Sequence, residues 1–145
     1  MNHSLLRIVL LWALLCTLAR AAAPVCPGAA DIQPRMLIGR WQIEWIDGTR
    51  PRGAGPWVLE LGPHPEYADS LKGRLRHDQA RALVVADWDD ENLTMEESPD
   101  GKRIAATWQA TAVDGRCGRE FQGVRFTGSE PDASARRFRM RALSP

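Results

Sequence analysis

Hydrophobic and polar residues alternate along most of the chain after residue 38. The stretch IGRWQIEWI, residues 38–46, places Trp41, Ile43 and Trp45 on one face of an extended chain. This period of two is typical of a strand with one buried face. The same alternation predicts eight strands, over residues 41–46, 57–61, 71–77, 82–88, 92–97, 103–113, 119–128 and 136–143.

Turn signals separate the predicted strands and favour hairpin connections. Asp-Gly pairs stand at 47–48, 100–101 and 114–115, and an acidic run occupies 89–92. No helix is predicted beyond one turn near residues 29–32. Eight short strands joined by hairpins predict an all-β fold, a small antiparallel up-and-down β-barrel, because closure of the sheet removes its exposed edges.

The first 23 residues are expected to lie outside this barrel. Arg7 precedes an apolar run of about twelve residues and then small residues, which is the pattern of a secretory signal peptide. The run is shorter than the roughly 20 residues that a membrane span needs. We expect cleavage after Ala21 or Ala23. The predicted organisation is a signal peptide over 1–23, an N-terminal lead-in segment over 24–37 and a barrel domain over 38–145.

Charge gives no support for nucleic-acid binding. Lys and Arg number 19 and Asp and Glu number 18, and loss of Arg7 and Arg20 with the signal peptide changes the formal net charge from +1 to −1. A nucleic-acid-binding domain calls for a strong basic excess. About 122 residues remain, enough for one domain. We expect a secreted or periplasmic protein, bacterial by its alanine- and arginine-rich composition, monomeric and without a membrane span.

Two cysteines remain after cleavage. Cys16 leaves with the signal peptide, so Cys26 and Cys117 allow one disulfide. The alternatives are two free thiols or a pair of metal ligands. An oxidising compartment favours the disulfide, which would close a loop of about 90 residues and stabilise the fold by roughly 4 kcal/mol on the chain-entropy model.

The beginning of the first strand resembles a known family. Gly39-x-Trp41 is similar to the motif that opens lipocalin-like (calycin) barrels of eight strands. The resemblance implies that Trp41 plugs one end of the barrel and that a basic residue of the last strand lies across its ring, a contact of about 0.5 to 2 kcal/mol. The last strand alternates arginines with apolar residues and offers Arg137, Arg139 and Arg141 on one face.

A second, weaker resemblance is to exported inhibitors of bacterial alkaline metalloproteases, which are also eight-stranded barrels that begin with Gly-x-Trp. Residues 86–108 are similar to the middle of those inhibitors. The resemblance implies that an N-terminal arm, here residues 22–25, enters a protease cleft. Two features differ, because the inhibitors' disulfide lies within their early strands, whereas Cys26 and Cys117 span most of the domain, and because this chain continues well past Cys117.

Four tryptophans are candidates for a ligand site. Trp45, Trp57, Trp88 and Trp108 could line a cup for a small planar or apolar ligand, since rigid aromatic walls suit such ligands. The alternative is that they fill the core of a small barrel. Because bulky residues occupy most inward positions, we expect only a shallow cavity at one end and affinity no better than about micromolar. Small residues at positions expected to face inward are Gly73, Ala106, Ala110, Ala112 and Gly123.

Other chemistry finds little support in the sequence. The acidic residues at 87–91 could bind calcium, but they lack the spacing of an EF-hand loop and suit a solvated hairpin tip. His64 and His77 have no further ligands at the spacing that zinc requires. Glu96 and Glu97 are adjacent, so they point to opposite faces of a strand and cannot share a substrate. We therefore expect no metal, no cofactor and no enzymatic activity.

These observations favour an exported, non-catalytic binding protein that holds a small apolar ligand at one end of the barrel. The first alternative is an inhibitor that binds a secreted metalloprotease through its N-terminal arm. The second is an envelope-associated structural protein.

Overall fold

The computed structural model of the protein describes residues 26–48, 55–128 and 135–144. Eight antiparallel strands form a closed barrel in which each strand pairs with its neighbours in sequence and the last pairs with the first. The predicted all-β, up-and-down barrel is confirmed. The strands are β1 Gly39–Trp45, β2 Trp57–Pro63, β3 Ser70–His77, β4 Ala80–Asp89, β5 Asn92–Ser98, β6 Ala106–Ala112, β7 Glu120–Thr127 and β8 Arg136–Ala142. The signal peptide predicted over 1–23 lies outside the described residues.

The barrel interior is packed with the apolar residues of the alternating strands. In β8, Phe138 and Met140 are fully buried while Arg137 and Arg141 are exposed, so the two faces of the strand separate as the sequence pattern predicts. Large side chains fill the interior along its whole height. The largest fully buried aromatic residues on inward positions are Trp41, Trp108, Phe121 and Phe138.

Two inward-facing glycines bring strands together and create no space. A Cβ atom at Gly73 would overlap the carbonyl oxygen of Glu60, and a Cβ atom at Gly123 would overlap that of Gln109. Both glycines therefore lie where the backbone of a neighbouring strand approaches closely, as at a tight bend in a small barrel. These positions do not enlarge the interior.

The lead-in segment contains two short 3-10 turns where the sequence predicts one. They are Ala29–Asp31 and Pro34–Leu37, and Pro34 stands at the first position of the second turn, where its missing N–H costs nothing. Ile32 and Leu37 are buried against the barrel core. Cys26 and Cys117 form the predicted disulfide, which ties this segment to the β6–β7 connection.

Strand β6 is shorter than the strand predicted over residues 103–113, because the residues before Ala106 belong to the β5–β6 turn. The Oδ1 atom of Asp100 accepts hydrogen bonds of 2.9 Å from the backbone N–H groups of Lys102 and Arg103. Because this turn holds the residues before Ala106, Ile104 is not part of the strand and is 45 % exposed. The backbone hydrogen bonds from Arg103 and Lys102 lower the pKa of Asp100 to about 2.

Candidate functional site

The lead-in segment covers one end of the barrel, which we call the lead-in end. Leu37 is fully buried there, and its carbonyl oxygen accepts a hydrogen bond of 2.9 Å from Trp41 Nε1. Trp41 is 2 % exposed and makes an edge-on contact with Phe121, their ring centroids 5.5 Å apart. Trp41 thus joins the lead-in segment to the barrel core.

Among the described residues no arginine lies over the Trp41 ring, contrary to what the family resemblance implied. Arg139 and Arg141 lie on the outer face of β8 and form ion pairs of 3.2 and 3.1 Å with Glu120. The alternation that buries Phe138 and Met140 turns these arginines away from the interior, so they cannot reach an inward ring. Among the described residues, the arginine–ring contacts involve other tryptophans.

Gly39 has a conformational role. Its φ is 137°, in a region that L side chains rarely adopt, and a Cβ atom there would have no neighbour within 4 Å. The backbone angle, rather than a shortage of space, therefore accounts for glycine at this position.

Three of the four candidate tryptophans lie together at the opposite end, which we call the aromatic end. Trp45 and Trp57 meet edge to face with ring centroids 5.3 Å apart, and Trp45 stacks on Trp108 at 5.7 Å. Trp108 is buried, whereas Trp45 and Trp57 are partly exposed. β1 ends, β2 begins and β6 begins at this end, which brings the three rings into one cluster.

Trp88 does not belong to this cluster. It lies near the end of β4, and its ring packs edge-on against Phe121 at 5.7 Å, beside Trp41. The structure therefore places Trp88 at the lead-in end and separates it from the other candidates.

A partly buried ion pair lies among the three rings at the aromatic end. Glu97 accepts hydrogen bonds from Arg125 Nε at 3.0 Å and from Arg125 Nη2 at 3.2 Å. A third hydrogen bond, of 3.0 Å, comes from Trp108 Nε1. The side chain of Glu97 is only 9 % exposed and that of Arg125 is 23 % exposed. The pair fixes the orientation of the Trp108 indole and closes the apolar interior with a polar layer.

Cationic and imidazole groups cover faces of the aromatic cluster. The guanidinium carbon of Arg136 lies 4.2 Å from the Trp45 ring centroid, and that of Arg125 lies 5.3 Å from the Trp108 centroid. His77 stacks on Trp57 with ring centroids 4.5 Å apart. Each contact restricts a tryptophan side chain, so the surface presented at this end is held in place before any ligand arrives.

A shallow groove adjoins Trp57 at the aromatic end. Its volume is about 190 Å³, and its walls include Trp57, His77, Arg81 and Glu97. Small-molecule sites usually measure about 300 to 1,000 Å³, so this groove suits part of a ligand that also contacts the partly exposed tryptophan side chains.

The residues that the sequence analysis considered as metal ligands have other roles in the structure. Asp90 and Glu91 form the two-residue β4–β5 turn with φ values of 45° and 65°, which is the conformation of a hairpin turn. His64 Nδ1 accepts hydrogen bonds from the backbone N–H groups of Glu66 and Tyr67. Within the described ranges, no three His, Cys, Asp or Glu side chains converge on a point that could hold a metal ion.

Sequence reasoning missed Glu97, Arg125 and Arg136. The sequence did contain a signal, because on two strands the inward-facing positions end in a charged residue. On β5, Leu93 and Met95 are followed by Glu97, and on β7, Phe121 and Gly123 are followed by Arg125. The alternation shows that these charges face inward, but only the pairing of β5, β6 and β7 shows that they meet.

Comparisons with known proteins do not identify this chain. No protein-family model, no curated protein and no solved structure matches it. In the part of the chain that the structure describes, no helix is long and apolar enough to cross a bilayer. The closed barrel of eight antiparallel strands is compatible with a lipocalin-like fold.

Proposed function

We propose that this is an exported, non-catalytic binding protein that holds a small apolar ligand at the aromatic end of its barrel. The observation that supports this most is the cluster of Trp45, Trp57 and Trp108 at one end of the barrel, in which Trp108 donates a hydrogen bond to the Glu97–Arg125 ion pair. The other end is covered by the lead-in segment. The disulfide between Cys26 and Cys117 supports an oxidising compartment.

The packing of the barrel defines the kind of binding proposed. Bulky side chains such as Trp108, Phe121 and Phe138 occupy the interior and are at most 1 % exposed. A ligand therefore contacts the partly exposed side chains of Trp45 and Trp57 and extends into the adjoining groove of about 190 Å³. Because little of such a ligand is enclosed, its affinity is about micromolar.

Tryptophan fluorescence tests this proposal. Mature protein is titrated with phenylnaphthylamine, a neutral apolar probe whose own emission rises when it is desolvated. Trp57→Phe is expected to weaken binding by about tenfold, because the larger and partly exposed indole side chain is lost. Trp88→Phe is the matched control, since Trp88 is also partly exposed but lies at the lead-in end. Equal effects of the two substitutions, or no binding, would overturn the proposal.

One observation favours a protease inhibitor as a second candidate. The disulfide fixes Cys26 beside the β6–β7 connection, and the sulfur of Cys26 lies 3.9 Å from the carbonyl oxygen of Gly115. Residues 22–25, the arm that the inhibitor resemblance implies, lie outside the described residues and directly precede this anchor. A fixed anchor lowers the entropy cost of presenting an arm to a partner.

The inhibitor candidate has its own test. Mature protein with and without residues 22–25 is assayed against secreted metalloproteases. Inhibition that disappears with the arm supports this second candidate, whereas full-length protein without inhibitory effect rejects it. If neither probe binding nor inhibition is observed, the envelope-associated structural role is the alternative that remains.

A further inference from the structure

Several described carboxylates at the aromatic end accept hydrogen bonds from the protein itself, and among them Asp47 accepts one of 2.7 Å from the backbone N–H of Arg137. Glu97 accepts three hydrogen bonds, from Arg125 and Trp108. Asp78 accepts a hydrogen bond of 2.8 Å from the backbone N–H of Gly55 and lies 3.3 Å from His77 Nε2. The buried Glu97 carboxylate, which is held by Arg125 and Trp108, is therefore not available to recognise a cationic ligand.

Two guanidinium groups at the same end lack such partners. Arg136 lies over Trp45 at 4.2 Å, and Arg81 is exposed beside the groove that Trp57 lines. Neither forms an ion pair with any residue in the described ranges. Some other exposed arginines do, as Arg76 does with Glu60 at 3.1 Å, whereas Arg40 and Arg74 also have no ion pair in the described ranges. Among the described residues, the aromatic end therefore combines apolar rings with two arginines that form no ion pair.

We infer that the ligand of the aromatic end is a planar anion, an aromatic carboxylate or sulfonate, whose acidic group is bound by Arg136. This inference rests on the proposed function and specifies the class of its ligand. A guanidinium is planar, binds carboxylate-like oxygens through two parallel hydrogen bonds and at the same time stacks on an aromatic face. Stacking on Trp45 already holds Arg136 in place, so less side-chain freedom is lost when an anion binds.

The spacing of the groups fits one small molecule. The Arg136 guanidinium lies 4.2 Å from the Trp45 ring centroid, and the Trp45 and Trp57 centroids are 5.3 Å apart. When the acidic group of a ligand binds Arg136, the aromatic ring attached to that group can therefore contact Trp57 and the groove beside it. A neutral ligand would gain nothing from Arg136, and a cation would be repelled by it.

Two probes with the same ring system test this inference. Anilinonaphthalene sulfonate is anionic, and phenylnaphthylamine lacks the sulfonate. The expected result at low salt is that the anion binds about tenfold more tightly, the effect of one charge-assisted interaction. At about 0.5 M salt the preference should shrink, because exposed charges are screened.

Two substitutions locate the charge that is responsible. Arg136→Gln is expected to remove the preference for the anion, measured as the ratio of the affinities for the two probes in the same variant. Arg137→Gln is the matched control, because Arg137 is the next residue, is also exposed and lies on the outer face. Unfolding curves of both variants establish that each is folded before binding is measured.

The outcomes separate the inference from the function on which it rests. Equal affinity for the two probes overturns the inference but leaves the proposed function standing. A preference that Arg136→Gln does not reduce overturns the assignment to Arg136. Failure of both probes to bind overturns the proposed function itself.

Discussion

Glu97 accepts two hydrogen bonds from Arg125 inside the aromatic end of the barrel, at 3.0 and 3.2 Å. Both residues occupy inward positions at the ends of otherwise apolar rows. The charges satisfy one another, and Glu97 also fixes Trp108. This arrangement lets a small barrel end in a polar layer without leaving a buried charge alone.

The first prediction concerns this ion pair. Glu97→Gln should destabilise the fold by about 2 to 3 kcal/mol, because it leaves the partly buried Arg125 guanidinium without a counter-charge. Urea unfolding measures the change. Glu96→Gln is the matched control: Glu96 is adjacent but exposed, and its substitution should change stability by less than about 0.5 kcal/mol.

A double-substitution cycle separates the pair from its surroundings. Because each single change leaves the other charge unpaired, Glu97→Gln combined with Arg125→Met should cost less than the sum of the two single changes. Additive effects, or a Glu97→Gln variant as stable as Glu96→Gln, would show that the two residues do not act together.

The second prediction concerns the junction with the lead-in segment. Trp41→Ala should destabilise the fold by about 3 to 5 kcal/mol, because a large buried side chain is removed. Trp41→Phe keeps most of the ring but leaves the buried carbonyl of Leu37 unpaired, at a cost of about 1 to 3 kcal/mol. Chemical unfolding of the two variants checks that Trp41→Ala loses more stability than Trp41→Phe. A loss below about 1 kcal/mol for Trp41→Ala would show that this end is not a packed plug.

The third prediction concerns processing and the disulfide. Exported protein should begin at about residue 22 or 24 and contain no thiol that can be alkylated after unfolding, as intact-mass measurement would show. Replacing Cys26 and Cys117 together with serine should lower stability by roughly 4 kcal/mol on the chain-entropy model. Cys16→Ser is the control, since Cys16 is expected to leave with the signal peptide. An intact residue 1, or two reactive cysteines, contradicts this prediction.

The fourth prediction concerns pH. Asp100 has its pKa lowered from 3.8 to about 2 by backbone hydrogen bonds from Arg103 and Lys102. A carboxyl whose folded-state pKa is depressed stabilises the fold above its unfolded value, and this contribution is lost as the pH falls toward 2. Asp100→Asn should therefore be less stable than the unsubstituted protein near neutral pH and about equal to it at about pH 2. An NMR titration that gives Asp100 an ordinary pKa would refute the hydrogen-bonded turn.

The alternation of residues was sufficient to predict the barrel and the faces of its strands. Trp41, Ile43 and Trp45 face inward as their spacing requires, and the separation of the two faces of β8 follows from the same rule. That rule also argues against an arginine of the outer face lying across Trp41, which the family resemblance had implied. For placing the arginines of β8, the alternation of polar and apolar residues was therefore a better guide than the short Gly-x-Trp motif.

The candidate site could be predicted only in part, because it depends on strand register. Trp45, Trp57, Trp88 and Trp108 look equivalent in the sequence, but height along the barrel separates Trp88 from the rest. Glu97 meets Arg125 only through the pairing of three strands, a relation between residues 28 positions apart. Local periodicity shows which face a residue takes and does not show which partner it meets.

The most direct test of the central claim is a two-dimensional NMR titration that follows the indole N–H signals of the mature protein. We predict that phenylnaphthylamine shifts the signals of Trp45 and Trp57, which are partly exposed at the aromatic end. The signals of Trp41 and Trp88, at the lead-in end, should stay in place. Shifts confined to Trp41 and Trp88, or no shifts at saturating probe, would contradict a ligand site at the aromatic end.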